Sequence, residues 1–169
     1  MLRPPIVPCI NSDPPSGSRA AAIRRARPED ASTVRDLVTA AYSPYIARIG
    51  TQPGPMLDDY ERRIADGQAW VLERDREVRA ILVLEEQDDS LLLDNVAVMP
   101  SSQGQGLGRS LIGFAVDEAR RRGFRALRLY THVMMTENIA LYQRAGFTET
   151  HRISEKGFDR AYMSLSLDG

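Results

Sequence analysis

Apolar positions along the chain change period several times, and each change marks the end of one element and the start of another. A short aliphatic run around Ile23 predicts a strand that meets Pro28. Val34, Leu37, Val38, Ala41 and Tyr42 then recur on one helical face and predict a first helix. The stretch SPYIARIGTQPGPM, residues 43–56, is punctuated by Pro44, Gly50, Pro53, Gly54 and Pro55 and reads as a loop. Leu57, Tyr60 and Ile64 predict a second, short helix ended by Gly67. Dense β-branched and aliphatic residues predict strands over 69–73 and 78–86, joined by the charged turn RDRE, and a third strand over SLLLDNVAV, residues 90–98. Helical spacing returns at Leu111, Ile112, Ala115, Val116 and Ala119 and stops at Gly123. A strand over 124–131 follows, then a helix over 136–146 with Thr136 as candidate N-cap and Gly146 as its stop. Two strands close the pattern, over 147–153 and 160–167, the second with Ala161, Met163, Leu165 and Leu167 on one face.

The element order is strand, two helices, three antiparallel strands, helix, strand, helix, two strands, an α+β arrangement without internal repeats. Residues 1–22 carry Pro4, Pro5, Pro8, Pro14 and Pro15 among small polar residues and have little to bury, so they read as a tail ahead of one domain spanning 23–169. A chain of 169 residues, 43% hydrophobic, suits one domain with a full core. A net charge of −1 provides no global field to gather nucleic acid or anionic membrane, and leaves only a local arginine patch around Arg120 to Arg128 for polyanions. The single cysteine, Cys9, excludes an internal disulfide and a cysteine-based metal cage, and no metal is expected. Without a membrane-length apolar run or a signal pattern, the expected address is the cytoplasm.

The chemistry concentrates in VAVMPSSQGQGLGRSLIGFA, residues 96–115, where a strand passes through Pro100 into a glycine turn and out into a helix. Gly104, Gly106 and Gly108 let successive backbone N–H groups converge without Cβ obstruction, and the following helix aims its positive end at the same point. An anion, phosphate above all, suits such a turn, with Arg109 adding a mobile charge. The alternative is a tight strand-to-helix connection that holds nothing. The Walker ending Gly-Lys-Ser/Thr is missing, and the spacing Gly-x-Gly-x-Gly departs from the dinucleotide fingerprint.

Within LDNVAVMPSSQGQGLGRSLI, Gln103, Gly106 and Gly108 match the Gln/Arg-x-x-Gly-x-Gly/Ala signature, and the chain resembles the GNAT superfamily of acetyl-CoA-dependent N-acetyltransferases. ENIALYQRAGF is similar to the second family signature through Tyr142, Gly146 and Phe147, and MTENIALY resembles a bacterial branch. The resemblance implies a GNAT fold: a mixed sheet of about six to seven strands whose central parallel pair splays apart, flanked by four helices. It also implies that the N–H groups of Gln103, Gly104, Gln105, Gly106, Leu107, Gly108 and Arg109 bind the diphosphate of acetyl-CoA, and that the pantetheine arm pairs with Val96, Ala97 and Val98. The N–H of Val98 falls to the oxyanion, and Tyr142 to protonation of the leaving thiolate, its other reading being a core tyrosine beside Ile139 and Ala145. Many relatives carry asparagine where this chain has Met135, and Asn138 lies one turn later as a candidate cofactor contact.

Acetyl transfer also needs a proton acceptor for the amine. Asp94 interrupts an aliphatic strand beside the cofactor segment, where partial burial raises a carboxyl pKa; pairing with Asn95 or an arginine would instead make it structural. His132 and Glu86 are the other candidates, and a water chain would also serve. The acceptor is expected to be a primary amine of a small molecule or peptide, met by loops from Tyr42 to Tyr60 and from Glu155 to Arg160. Asp58 and Asp59 suit either an ammonium or a helix start. Two other functions stay open at this stage: a non-catalytic acyl-CoA sensor, and a tRNA-acetylating toxin on the same fold. A homodimer through RAYMSLSL as an exposed edge is also expected.

Overall fold

The computed structural model describes residues 21–168, so Cys9 and most of the proline-rich head lie outside the described residues. Seven strands form one sheet in the order β1-β2-β3-β4-β5-β7-β6: β1 Ala22–Arg25, β2 Ala69–Arg74, β3 Glu77–Glu86, β4 Leu91–Val98, β5 Ala126–His132, β6 Thr148–Glu155 and β7 Phe158–Ser166. Four α-helices accompany it: α1 Ala31–Ile49, α2 Tyr60–Ala65, α3 Leu107–Arg121 and α4 Thr136–Arg144. Alternation along the strands splits the core into two layers. Val71, Ile81, Val83 and Ala97 face Val34, Leu37 and Val38 of α1 and Ile64 of α2. Leu72, Leu82, Leu84, Leu93, Leu127 and Leu129 face Leu111, Ile112 and Ala115 of α3 and Ile139 and Tyr142 of α4.

Four expectations are corrected. The stretch 43–49 is helical, because α1 continues through Pro44 to end at Gly50 in a left-handed conformation (φ 88°). An interior proline costs about 3 kcal/mol of helix stability. Burial of Tyr42 and its ring contact with Tyr45 offset part of that here. Leu57 belongs to a 3-10 turn over Gly54–Leu57 and is exposed, while α2 starts at Tyr60 with Asp59 as the side chain capping the Arg62 N–H. Thr136 is the first residue inside α4, and Met135 stands at the N-cap position without a side-chain cap. RAYMSLSL is not an edge: β7 lies between β5 and β6, with Ala161 and Met163 fully buried, and the sheet edges are β1 and the largely exposed β6.

Two features of β4 shape everything that follows. Val83 pairs with Asn95 and Leu84 with Leu93, so Asp94 is an extra residue bulged out of the β3–β4 ladder. The bulge reverses the facing of the strand: Leu91 and Leu93 point to the α3 side before it, Asn95 and Ala97 to the α1 side after it. On its other flank β4 runs parallel to β5, and the two pair only at Leu91↔Leu127 and Leu92↔Arg128. Beyond that point the strands separate.

Candidate functional site

The separation opens cavities on both sides of β4's free flank, one of about 710 Å³ towards the glycine turn and one of about 300 Å³ towards Asp94. Tyr42 and Asn138 line both, so the two spaces adjoin at these side chains.

The larger cavity is walled by Val96, Ala97, Val98 and the turn Ser102–Arg109 on one side and by Asn138, Leu141 and Arg144 on the other. Val96 and Val98 turn their backbone groups into the gap: the carbonyl of Val96 lies 3.3 Å from the Tyr42 hydroxyl and that of Val98 accepts from Gln103 Nε2 at 3.2 Å, while the Met99 N–H donates to Arg79 of β3. N–H and C=O of one strand residue point the same way, so the N–H groups of Val96 and Val98 also face the gap. In the turn, Gly104 (φ 78°) and Gly106 (φ 80°) are left-handed, and a Cβ on either would meet only open space. Gly106 is the N-cap of α3 and has no side chain to satisfy the first helical N–H groups. Those of Leu107, Gly108 and Arg109 therefore point at the cavity beside an uncapped positive helix end. Gly108 sits inside α3, where a Cβ would stand 3.7 Å from Val98 and 3.8 Å from Leu141, spanning the cleft.

Gln103 and Gln105 both have partners within the fold. The Gln103 N–H already bonds the Pro100 carbonyl at 3.3 Å, and the Gln105 side chain turns away to Arg74. The Gln103 side chain lines the cavity, where its Nε2 holds the Val98 carbonyl, while Gln105 is not among the lining residues.

The smaller cavity gathers Asp58, Arg63, Asp94, Tyr130, His132, Arg160 and the buried Tyr142. Asp94 accepts from Tyr130 at 3.3 Å and pairs with Arg63 at 3.3 Å. Arg63 is shared with Asp58 at 2.9 Å and Glu85 at 2.7 Å, so one guanidinium serves three carboxylates. Burial raises the Asp94 pKa, and Asp58 and Glu85 push the same way; the attraction of Arg63 does not cancel them. The Tyr130 phenol, pushed by burial up to about 12, stays protonated and donates. Burial also raises the pKa of Tyr142, whose hydroxyl engages no hydrogen bond among the described residues.

The other base candidates are placed differently. His132 lines the cavity, but its Nδ1 accepts the Met134 N–H at 3.1 Å, which fixes the neutral ring's proton on Nε2 and leaves it a donor. Glu86 lies outside the cavity, exposed and paired with Arg122 at 2.9 Å. Asn95, considered as a partner for Asp94, instead joins a buried chain. It accepts from Tyr42 at 2.6 Å and donates to Tyr60 at 3.0 Å, and Tyr60 donates to the Pro55 carbonyl at 2.6 Å. That chain ties the bulge to the Pro53–Leu57 wall of the cavity. Met135 is buried under Thr131 and Asn138, both of which lie 3.6 Å from its sulfur. Arg63 and Tyr130 left no mark in the sequence, since their contacts with Asp94 span 31 and 36 residues. Among the described residues no group of three or more His, Cys, Asp and Glu side chains is placed to hold a metal, and no helix is long and apolar enough to cross a membrane. In the arginine patch, Arg121, Arg122 and Arg128 are each ion-paired.

The family model for the acetyltransferase (GNAT) family matches residues 32–147, from α1 through both signatures to Phe147. The chain belongs to the GNAT family. Among curated GNAT relatives it is 43% identical over 61 residues to the [ribosomal protein bS18]-alanine N-acetyltransferase of Escherichia coli, covering 36% of this chain and 41% of that protein. It is 35% identical over 80 residues to the L-methionine sulfoximine/L-methionine sulfone acetyltransferase of Salmonella typhimurium, covering 44% and 47%. The chain thus matches less than half the length of either relative. In fold it resembles the PaiA N-acetyltransferase of Thermoplasma acidophilum, solved in complex with coenzyme A: TM-score 0.74, 16% identity, 88% of this chain and 99% of that one.

Proposed function

We propose that the protein transfers the acetyl group of acetyl-CoA directly to a primary amine in a ternary complex. The observation that carries this reading is the pair of adjoining cavities on β4's free flank: one ends in free backbone N–H groups suited to a diphosphate, the other in a desolvated carboxylate suited to an amine proton. The N–H groups from Gly104 to Arg109 hold the diphosphate, and the pantetheine lies against Val96 to Val98 as a further strand would. Asn138, at the junction, contacts the cofactor near its thioester end.

In the reaction the amine nitrogen attacks the thioester carbonyl carbon, the carbonyl oxygen takes negative charge, and the Val98 N–H facing the gap stabilises it. Asp94 accepts the nitrogen's proton; its raised pKa improves the match between base and ammonium. The C–S bond breaks and the sulfur leaves as a thiolate hydrogen-bonded by the Tyr142 hydroxyl; it then takes a proton from water, and Asp94 returns the amine's proton to solvent. A phenol has a reference pKa of about 10 against about 8.5 for a thiol, and burial widens that gap here. Tyr142 therefore contributes mainly a hydrogen bond to the departing sulfur, with modest effect on rate.

The relatives' names give an alanine of a ribosomal protein and the amino-acid analogues L-methionine sulfoximine and L-methionine sulfone, which supports an amine of a protein or small molecule as acceptor. The cytoplasm is the proposed compartment and a homodimer the proposed assembly, now through the exposed edge β6. Thiol release from acetyl-CoA with a panel of amines tests the reading: amine-dependent release supports it, and acetyl-CoA binding without release for any amine overturns it.

A further inference from the structure

Arg160 is built into the smaller cavity in an unusual way. Its backbone is fixed at the start of β7 opposite His132. Its guanidinium carbon stands 4.5 Å from the Tyr130 ring centroid and 5.5 Å from that of Phe158, and both rings line the same cavity. The two rings hold the guanidinium by cation–π contact, Nη1 donates to Glu155 at 3.0 Å, and the Tyr162 hydroxyl is a further partner. A guanidinium presents five donors, and a planar anion is the partner that matches the remaining edge.

Tyr130 also fixes how far that edge is from Asp94. Its ring lies under Arg160 and its hydroxyl donates to Asp94, so the cation and the carboxylate stand on one tyrosine, roughly 7–8 Å apart by covalent and hydrogen-bond lengths. An amine and a carboxylate on the same carbon, each with one hydrogen bond to its partner, span about that distance. Of the other charged groups facing the space, Arg63 bridges Asp58 and Asp94, and His132 is a neutral donor. One stretch of the wall is apolar, formed by Ile49, Pro53, Pro55 and Leu57, which at 64% exposure is the most exposed large apolar side chain among the described residues. A cavity of about 300 Å³ lies at the small end of small-molecule sites.

We propose that the acceptor is a single amino acid with an apolar side chain, its α-amine at Asp94, its carboxylate on the in-plane edge of Arg160 and its side chain against Leu57 and the prolines. The proposal rests on the acetyl-transfer reading above and narrows it. An amine lacking the carboxylate forgoes the charge-assisted contact with the remaining Arg160 donors, which weakens its binding.

The test is thiol-release kinetics of the full chain with acetyl-CoA and three acceptors that differ only at the carboxylate: L-leucine, L-leucinamide and 3-methylbutylamine, each rate referred to its free-amine fraction. Leucine should exceed the other two in kcat/KM by about tenfold or more. In Arg160→Met the leucine-to-leucinamide ratio should fall towards one, with Arg160→Lys in between. If Arg160→Met fails to fold, the wild-type ratio and Arg160→Lys decide. Equal use of leucine and leucinamide, or preference for a leucine-initiated peptide, overturns the amino-acid assignment while acetyl transfer stands. Thiol release from no amine by protein that binds acetyl-CoA overturns acetyl transfer itself.

Discussion

Replacing Asp94 by asparagine separates the chemistry of the carboxylate from its place in the fold. The amide is nearly isosteric and still accepts from Tyr130, and Arg63 keeps Asp58 and Glu85 as partners, so no buried charge is stranded. What disappears is the proton acceptor, an effect of about 10²–10⁴ in kcat, or roughly 3–5 kcal/mol of barrier. Stability should move the other way. Because burial raises the pKa of Asp94, its charged form opposes folding: the group's contribution is most favourable below the ordinary carboxylate pKa and is lost as pH rises through the raised value. Asp94→Asn should therefore melt no lower than wild type at neutral pH, with any gain shrinking on acidification. The assays are thiol-release kinetics from pH 5 to 9 and thermal melts at the same pH values. Wild-type kcat/KM should fall on the acid side with an apparent pKa above the usual carboxylate range, and that limb should vanish in the variant. A kcat within about threefold of wild type with the acid limb intact would refute the assignment.

Tyr142→Phe should lower kcat by about tenfold while leaving acetyl-CoA affinity unchanged in titration calorimetry, since the lost hydroxyl acts only on the departing sulfur. Tyr60→Phe strands the Pro55 carbonyl and Asn95 Nδ2 in the interior and should cost about 2 kcal/mol in urea unfolding, raising KM as the cavity wall loosens. Glu118, held down to about 2 by its hydrogen bonds to Arg121 and Arg122, contributes stability that is present above the ordinary glutamate pKa and lost as pH falls towards 2. Glu118→Gln should accordingly flatten acid unfolding between pH 5 and 2 in circular dichroism.

Elements with strong local signals were legible in the sequence: the strand 91–98 from its aliphatic density, and helix α3 and the final strand β7 from apolar spacing. The helical course of 43–49 was not, because Pro44 signals a break, whereas the packing that carries α1 across it comes from distant residues. The position of β7 was hidden for a similar reason, since strand order is set by which edges pair and one face of apolar residues is compatible with edge or interior. At the site, the glycine turn and Asp94 stood out as local anomalies, glycines at fixed spacing and an acid in an aliphatic strand. The bulge at Asp94 and the short β4–β5 pairing are register properties and leave no such mark. Arg63 and Tyr130 carry no local signal, and Arg160 stands only at the end of an expected acceptor loop, until the fold brings all three around Asp94.

The central claim is that the turn from Gly104 to Arg109 holds the diphosphate of acetyl-CoA, and titration calorimetry with wild type and Gly106→Trp tests it most directly. No atom lies within 4 Å of a Cβ built at Gly106, so a side chain there starts in the open space of the turn, and a thermal melt reports the strain of a non-glycine residue at φ 80°. The account requires saturable binding by the wild type and its loss in a folded variant. Absence of binding to acetyl-CoA by folded wild type, or undiminished binding by Gly106→Trp, would contradict it and leave the turn as a connection between β4 and α3.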